Sequence, residues 1–238
     1  MPGKGFDPQM QINADLKLAA QHLSAGRAAE AVRVCRQILG RFPNHPQTHY
    51  ALGVALSHLG RGAEAAAAYR QAIGLKPDFF EAFTNLGTVL GAMGKHEEAI
   101  AAFAEAARIR PDVAEIQVNL SNGYRESWNI QAAIVAANRA LALKPGLAEA
   151  QLCLGAALAC KGEFDSAIAV YREAIRLRPE YPPAHLNLAL ALLVTGNLPE
   201  GWRAVGGEDD SALRGAGVWG CDSFCALCAD GGGDGRGN

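Results

Sequence analysis

The most constraining feature of this sequence is a set of residues that return every 34 positions. Prolines keep this step at Pro43, Pro77, Pro111, Pro145 and Pro179. Alanines keep it at Ala31, Ala65, Ala99, Ala133 and Ala167, and leucines at Leu18, Leu52, Leu86, Leu120, Leu154 and Leu188. A glycine keeps it at Gly26, Gly60, Gly94, Gly162 and Gly196, with Trp128 in the remaining place. A repeat of this length and composition is typical of stacked helical hairpins.

The repeat divides the chain into units that each consist of a helix, a short turn, a second helix and a loop. In the third unit, Gly94 follows the first helix, where a left-handed conformation costs glycine least, and Pro111 follows the second helix, which it cannot continue. Gly87 and Ala99 are small enough to let the two helices cross closely. The sequence predicts a flexible leader over residues 1–11, then units at 12–45, 46–79, 80–113, 114–147 and 148–181, and a partial unit at 182–205.

Charge and hydrophobicity narrow the classes of partner and location. The chain carries 22 basic and 24 acidic residues and no basic run that could neutralise a phosphate backbone, so we expect no nucleic-acid partner. No stretch reaches the roughly 20 apolar residues that span a bilayer, and the N-terminus lacks the apolar core of a secretory signal. We therefore expect a cytoplasmic protein without a membrane span, in which Cys35, Cys153 and Cys160 are buried thiols.

The sequence contains no recognisable motif of enzymatic chemistry. Its six histidines form no HExxH pattern and are expected to be solvated, and GxSxG and P-loop motifs are missing. Cys221, Cys225 and Cys228 lie within eight residues, but a structural zinc site needs four ligands and no histidine follows. We therefore expect no catalytic residue, no metal site and no cofactor.

Together the repeated residues form the pattern L-G-x-x-L, G, A-x-x-x-[YF], A, P over residues 12–205. This pattern resembles that of the tetratricopeptide repeat family. The resemblance implies an all-α fold, a right-handed superhelical solenoid of stacked helix-turn-helix hairpins. Pentatricopeptide repeats have a longer step, and armadillo and HEAT units are longer still, at about 40 residues or more. The fourth unit departs most, with Ser121 and Trp128 in place of glycine and Ala137 in place of an aromatic residue, which predicts a local distortion there.

In this family the first helices of successive units line a concave groove that holds an extended peptide. By resemblance, the sixth residue of each unit would line that groove, and this place carries Asn85, Asn119 and Asn187. The arrangement is similar to the asparagine ladder of protein O-linked N-acetylglucosamine transferases, whose amides hold a peptide backbone. An amide can both donate and accept hydrogen bonds, as a peptide unit does. Asn122 lies on the same helix face as Asn119, whereas Cys153 interrupts the row; the alternative is that these asparagines only satisfy loop carbonyls.

Further candidates for the groove are Tyr50, Thr84, Thr88, Arg125 and Glu126. Tyr50 is interpreted either as an aromatic anchor for a ligand or as a side chain partly buried between helices. No cluster of lysines and arginines recurs along the groove, which disfavours a carboxylate clamp like that of chaperone-tail binders. The first functional hypothesis is therefore a scaffold that binds a protein or an extended peptide, and not an enzyme.

The end of the sequence differs from the repeats. Residues 206–238 contain ten glycines, no lysine and no helical periodicity, so we expect a disordered tail. The junction at Gly201 and Trp202 resembles bacterial tetratricopeptide proteins in which a partial unit leads into a glycosyltransferase-like domain. From Arg214 onward, codons exist whose one-base shift spells a sequence that resembles the start of that domain. The tail is therefore interpreted as frameshifted, and the second hypothesis is the non-catalytic targeting half of a truncated or split glycosyltransferase-like protein.

The segment 182–195 is apolar on more than one face. Its apolar residues are Leu186, Leu188, Leu190, Leu192, Leu193 and Val194. Repeat arrays need a polar terminal cap to stay soluble. We therefore expect an uncapped apolar helix here that promotes self-association.

Overall fold

A computed structural model of the chain describes residues 8–197. Within these residues it contains eleven helices and no strand, so the predicted all-α fold is confirmed. The helices are α1 (Pro8–Ser24), α2 (Ala28–Arg41), α3 (Pro46–His58), α4 (Gly62–Leu75), α5 (Phe80–Ala92), α6 (His96–Ile109), α7 (Ala114–Glu126), α8 (Ile130–Leu143), α9 (Ala148–Cys160), α10 (Phe164–Leu177) and α11 (Pro182–Val194). From α2 to α9, each helix begins 34 residues before its counterpart in the next hairpin.

The described residues fall into two compact units, one ending at Ser127 and one beginning at Trp128. The first unit contains α1 to α7, and from α1 to α6 each helix packs on the next. The second unit contains α8 to α11, which also pack in chain order. Because every helix contacts mainly its neighbours in the chain, the core of each unit is a series of helix–helix interfaces rather than one central cluster.

The turn from the first helix to the second places one residue in the left-handed backbone region. Glycine occupies this place with φ of 70° at Gly26, 71° at Gly60, 74° at Gly94, 86° at Gly162 and 81° at Gly196. The predicted left-handed glycine is therefore confirmed. Trp128 takes the same conformation, with φ of 62°, although its Cβ makes this region unfavourable. The turn of the fourth repeat thus keeps its geometry at the cost of backbone strain.

The two helices of a hairpin cross where a glycine of the first helix meets an aromatic ring of the second. A Cβ added at the glycine would lie 2.6 Å from the ring in Gly53–Tyr69, 2.7 Å in Gly87–Phe103 and 2.5 Å in Gly155–Tyr171. All three separations are below the closest approach that real Cβ atoms show. The repeated glycine is therefore required by the close helix crossing, as the sequence predicts for Gly87. In the fourth repeat both places change, to Ser121 and Ala137.

The start of the array differs from the predicted boundary. Helix α1 begins at Pro8, four residues before the expected first unit at Ile12. A proline is compatible with this start, since it is tolerated in the first turn of a helix. Residues 8–11 therefore belong to this helix and not to a flexible leader. Residues 1–7, residues 198–205 of the partial unit and the tail 206–238 lie outside the described residues. The expected leader, the disordered tail and its frameshifted origin stay predictions.

Candidate functional site

A cleft of about 230 Å³ opens between α5, α6 and α7 in the first unit. Small residues and one ring form its floor: Gly87, Gly91, Ala92, Ala99, Phe103 and Gly123. Its polar lining consists of Thr88, His96, Asn119, Asn122 and Glu126. The structure thus brings four of the predicted groove residues, Thr88, Asn119, Asn122 and Glu126, to one place.

Asn119 and Asn122 are neighbours on one face of α7, because residues three apart in a helix lie side by side. Asn119 is half-buried, and the part of the chain that the structure describes offers no hydrogen-bond partner to its side-chain amide. Gly91 lies beside them, and a Cβ added there would meet only Ala99 at 4.0 Å, so the backbone of a ligand could approach α5 closely at this point. Gly87 and Gly123 instead make room for Phe103 and Ile100 of α6. The two amides can donate hydrogen bonds to the main chain of a peptide and accept hydrogen bonds from it, whatever the sequence of that peptide.

Asn85 is less available than Asn119, because its amide nitrogen donates a hydrogen bond to the phenolic oxygen of Tyr50 over 3.1 Å. The Tyr50 ring packs against Phe79, with ring centroids 4.9 Å apart, and against Tyr69 at 5.9 Å. Burial raises the pKa of Tyr50, an effect that the Asn85 bond partly offsets. Of the two interpretations of Tyr50, the contacts favour a side chain packed between helices.

The two predicted threonines use their hydroxyls within their own helix. Thr84 donates to the Phe80 carbonyl oxygen over 2.9 Å, and Thr88 donates to the Thr84 carbonyl oxygen over 3.1 Å. Both oxygens keep lone pairs, so each side chain can still accept a hydrogen bond from a ligand. Thr88 lines the cleft, whereas Thr84 lies one turn earlier on α5 and is outside it.

Charged groups lie at the end of the cleft. His96 Nδ1 is 3.2 Å from Glu126 Oε2, and the pair is an ion pair only when the imidazole is protonated. Arg125 Nη2 lies 3.7 Å from the other oxygen of Glu126, and its buried Nε has no partner among residues 8–197. His96 is partly exposed and lines the cleft, which the sequence does not predict. No sequence signal identifies it, because His96 and Glu126 meet only through the packing of α6 on α7.

The second unit carries the remaining predicted residue of the asparagine row. Asn187 is half-buried on α11, and its side chain has no hydrogen-bond partner within the described range of 8–197. Cys153 is buried on α9, where the row is interrupted. In the first unit Cys35 is fully buried, and burial raises its pKa to about 11, which is consistent with the expected inert thiol; Cys160 is only half-buried.

Two other kinds of site are missing from the described part of the chain. No cluster of three histidine, cysteine or acidic residues that could hold a metal occurs within residues 8–197. Among the same residues, no helix combines the length and the apolar composition that crossing a bilayer requires.

Family models of the tetratricopeptide repeat match residues 16–78, 80–113 and 157–196. The chain is therefore built from tetratricopeptide repeats, and the resemblance carried by the 34-residue step is confirmed. A comparison with curated proteins finds no match. The predicted glycosyltransferase-like extension stays a prediction.

Solved structures share the fold at low sequence identity. PilW, a widely conserved type IV pilus biogenesis factor, is 18% identical with a TM-score of 0.75, over 85% of this chain and 96% of that chain. MamA from Desulfovibrio magneticus RS-1 is 22% identical with a TM-score of 0.65, over 70% and 94%. YrrB, a tetratricopeptide protein with an unusual peptide-binding site, is 19% identical with a TM-score of 0.57, over 83% and 97%. These similarities confirm the predicted solenoid of helix-turn-helix hairpins.

Proposed function

We propose that this chain is a protein-interaction scaffold that holds an extended peptide or partner segment against the first helices of its hairpins. The observation that carries the proposal is the cleft on α5 and α7, where the half-buried amide of Asn119 has no partner in residues 8–197. An amide that uses none of its donors or acceptors within the fold keeps all of them for a bound peptide unit. The unusual peptide-binding site of YrrB, which shares the fold, supports the same class of ligand.

The cleft also suggests how a peptide is oriented. Asn119, Asn122 and Thr88 would pair with main-chain groups of a peptide that lies beside Gly91. Glu126, at the charged end, is a carboxylate that accepts hydrogen bonds from a hydroxyl, amide or cationic side chain. We infer that the site recognises mainly the main chain of the peptide, and that one side chain of the peptide donates a hydrogen bond to Glu126.

The test starts by selecting binders to the full chain from a library of random peptides. The affinity of one labelled peptide is then measured by fluorescence anisotropy for the wild type and for Asn119→Ala. We expect the substitution to weaken binding roughly fivefold to tenfold, the effect of losing about one hydrogen bond. Asn138→Ala, a matched change at an exposed residue of α8, should leave the affinity unchanged. Equal affinities of the Asn119→Ala variant and the wild type would reject the cleft as the peptide-binding site.

We infer that the scaffold acts in the cytoplasm and without catalytic activity of its own. The second hypothesis, a targeting half of a truncated or split glycosyltransferase-like protein, depends on residues 201–238, which lie outside the described residues. The coding DNA tests it directly. A glycosyltransferase-like reading frame that opens after a one-base shift near the codon of Arg214 supports it, and the lack of such a frame rejects it.

Self-association through α11 also stays a prediction. The apolar surface that α11 exposes is smaller than the sequence indicates. Leu188 and Leu192 are buried in a cluster with Ile168 and Tyr171, so part of the apolar stripe belongs to the core of the second unit. Val194 is 46% exposed. Light scattering of the full chain over a range of concentrations tests the prediction, and a monodisperse monomer throughout would reject it.

A further inference from the structure

A second cleft, of about 440 Å³, lies in the first unit between α2 and the turn that joins α3 to α4. It shares no residue with the cleft on α5 and α7. We call it the arginine cleft, and its lining consists of Ala29, Val32, Arg33, Arg36, Gln37, Leu59 and Arg61. Three guanidinium groups therefore converge on a cleft whose other lining residues are apolar, apart from one glutamine.

The positive charge of the arginine cleft is only partly neutralised. Arg61 Nε and Nη2 each donate to the Glu64 carboxylate over 2.7 Å, and these bonds lower the pKa of Glu64. Arg36 Nη2 lies 3.7 Å from the same carboxylate and its side chain is 56% exposed. Arg33 is exposed and has no ion-pair partner among residues 8–197, and Glu30, one turn earlier, does not pair with it. The Glu64 carboxylate thus pairs with two of the three arginines, and Arg33 is left without a counter-charge in the described part of the chain.

The next hairpin interface shows which of these charges the helix packing uses. There, Glu98 lies 2.8 Å from Arg70 and 3.0 Å from Lys95, which stand 34 residues after Arg36 and Arg61. The place of Arg33 is taken by Ala67. Two cations and one carboxylate therefore suffice to bridge adjacent hairpins. Arg33 is an additional cation that this interface does not need.

We propose that the arginine cleft binds an acidic segment of a partner protein. Carboxylates of the segment pair with the guanidinium groups of Arg33 and Arg36, whose planar donors match a carboxylate in bidentate fashion. An apolar side chain next to them covers Leu59, which is 40% exposed. A protein segment is favoured over nucleic acid because the whole chain carries a net charge of −2 and has no basic run.

The test uses the full chain and two fluorescein-labelled peptides, GELEEG and its neutral counterpart GQLQQG. We expect the acidic peptide to bind, the neutral one to bind at least tenfold more weakly, and the difference to shrink with added salt. Arg33→Ala should lower the affinity for the acidic peptide roughly fivefold, as for the loss of an exposed ion pair. The double change Arg33→Glu and Arg36→Glu should lower it on the order of 100-fold, because like charges then oppose the peptide.

Matched controls separate this site from general effects. Arg139→Ala removes the same charge from an exposed position on α8 and should leave the affinity unchanged, with circular dichroism checking that each variant is folded. Asn119→Ala should also leave the affinity for GELEEG unchanged, because Asn119 lies in the other cleft. The proposal for the arginine cleft and the proposal for the α5–α7 cleft can therefore be rejected independently. The proposal is overturned if GELEEG does not bind at about 1 mM. It is also overturned if Arg139→Ala lowers the affinity for GELEEG as much as Arg33→Ala does. Tighter binding of a single-stranded oligonucleotide of equal charge, lost in the same variants, overturns it as well.

Discussion

The side-chain amide of Asn85 donates a hydrogen bond to the phenolic oxygen of Tyr50 across 3.1 Å. The two residues lie on α5 and α3, the first helices of consecutive hairpins. The sequence makes both residues candidates for contact with a ligand, and in the structure they contact each other. The bond leaves the Asn85 carbonyl oxygen and one amide hydrogen for other partners. The residue in the sixth place of a repeat can therefore join adjacent hairpins and still face a ligand.

Tyr50→Phe tests whether this contact stabilises the first unit. The change removes the hydroxyl and keeps the ring that packs against Tyr69 and Phe79. We expect the free energy of unfolding to fall by about 1 kcal/mol, the usual net value of one hydrogen bond. Urea denaturation followed by circular dichroism measures the change. Asn85→Ala should have a similar effect, and the double variant should lose little more than either single one; fully additive losses would show that the two side chains are not coupled.

The hairpins are predictable from the sequence because their landmarks are local. Gly94 and its counterparts end the first helix through a backbone conformation that few other residues adopt, and prolines end the second helix. The pairing of Gly53 with Tyr69 is likewise carried by residue size at fixed spacing. The left-handed conformation of Trp128 follows only from its place in the repeat, since its own side chain argues against it.

The contacts inside the candidate site are not predictable in the same way. His96 and Glu126 are 30 residues apart, and their approach depends on how the start of α6 packs on the end of α7. The sequence identifies Asn85 and Asn119 as equivalent, yet only Asn85 has a tyrosine in reach. The arginine cleft has no sequence signature, because Arg33 and Arg61 belong to different repeats and fall outside the groove positions of the family. Side-chain partners of this kind require the three-dimensional register of neighbouring hairpins.

Gly53→Ala tests the close helix crossing. An added methyl group would lie 2.6 Å from the Tyr69 ring, which is itself buried and cannot move away freely. We expect a loss of about 1–3 kcal/mol in the free energy of unfolding, as for other overpacked cores. Chemical denaturation measures it.

Gly74→Ala is the matched control for that change. Gly74 lies on α4 of the same hairpin, and nothing within 4 Å would contact an added methyl group. Because alanine is the better helix former, this variant should gain about 0.5–1 kcal/mol. If both glycines responded in the same direction, the steric explanation for Gly53 would be wrong.

Trp128→Gly tests the strained turn of the fourth repeat. The backbone φ of 62° is costly for a residue with a Cβ, and the indole is 63% exposed, so little packing is lost. We expect stability to rise by about 1 kcal/mol, the lower end of the cost of a left-handed residue. Thermal denaturation measures the shift. Gly94→Ala, at the equivalent place of the third repeat, should lower stability by a similar amount. If Trp128→Gly instead lost stability, the indole would make a contact that stabilises the fold by more than the backbone strain costs.

The start of α3 contains a titratable cap. His45 is the N-cap residue, and its Nδ1 accepts a hydrogen bond from the Thr48 backbone N–H over 3.3 Å. The same nitrogen lies 2.8 Å from the Thr48 hydroxyl. A protonated imidazole cannot accept at Nδ1, and its charge would be unfavourable at the positive end of the helix dipole. Burial, and secondly the neighbouring His49, lower the pKa of His45 below its ordinary value.

The lowered pKa means that the folded chain binds fewer protons at His45 than the unfolded chain does. The stability contributed by this cap is therefore present above the ordinary pKa of about 6.5 and is lost as the pH falls through the lower folded value. In His45→Asn, an amide oxygen retains the cap and nothing titrates there. We expect wild type and variant to have similar free energies of unfolding at about pH 7.5, and the wild type to fall below the variant by about pH 5. Urea denaturation across this range measures the difference; parallel curves would show that His45 does not titrate within the cap.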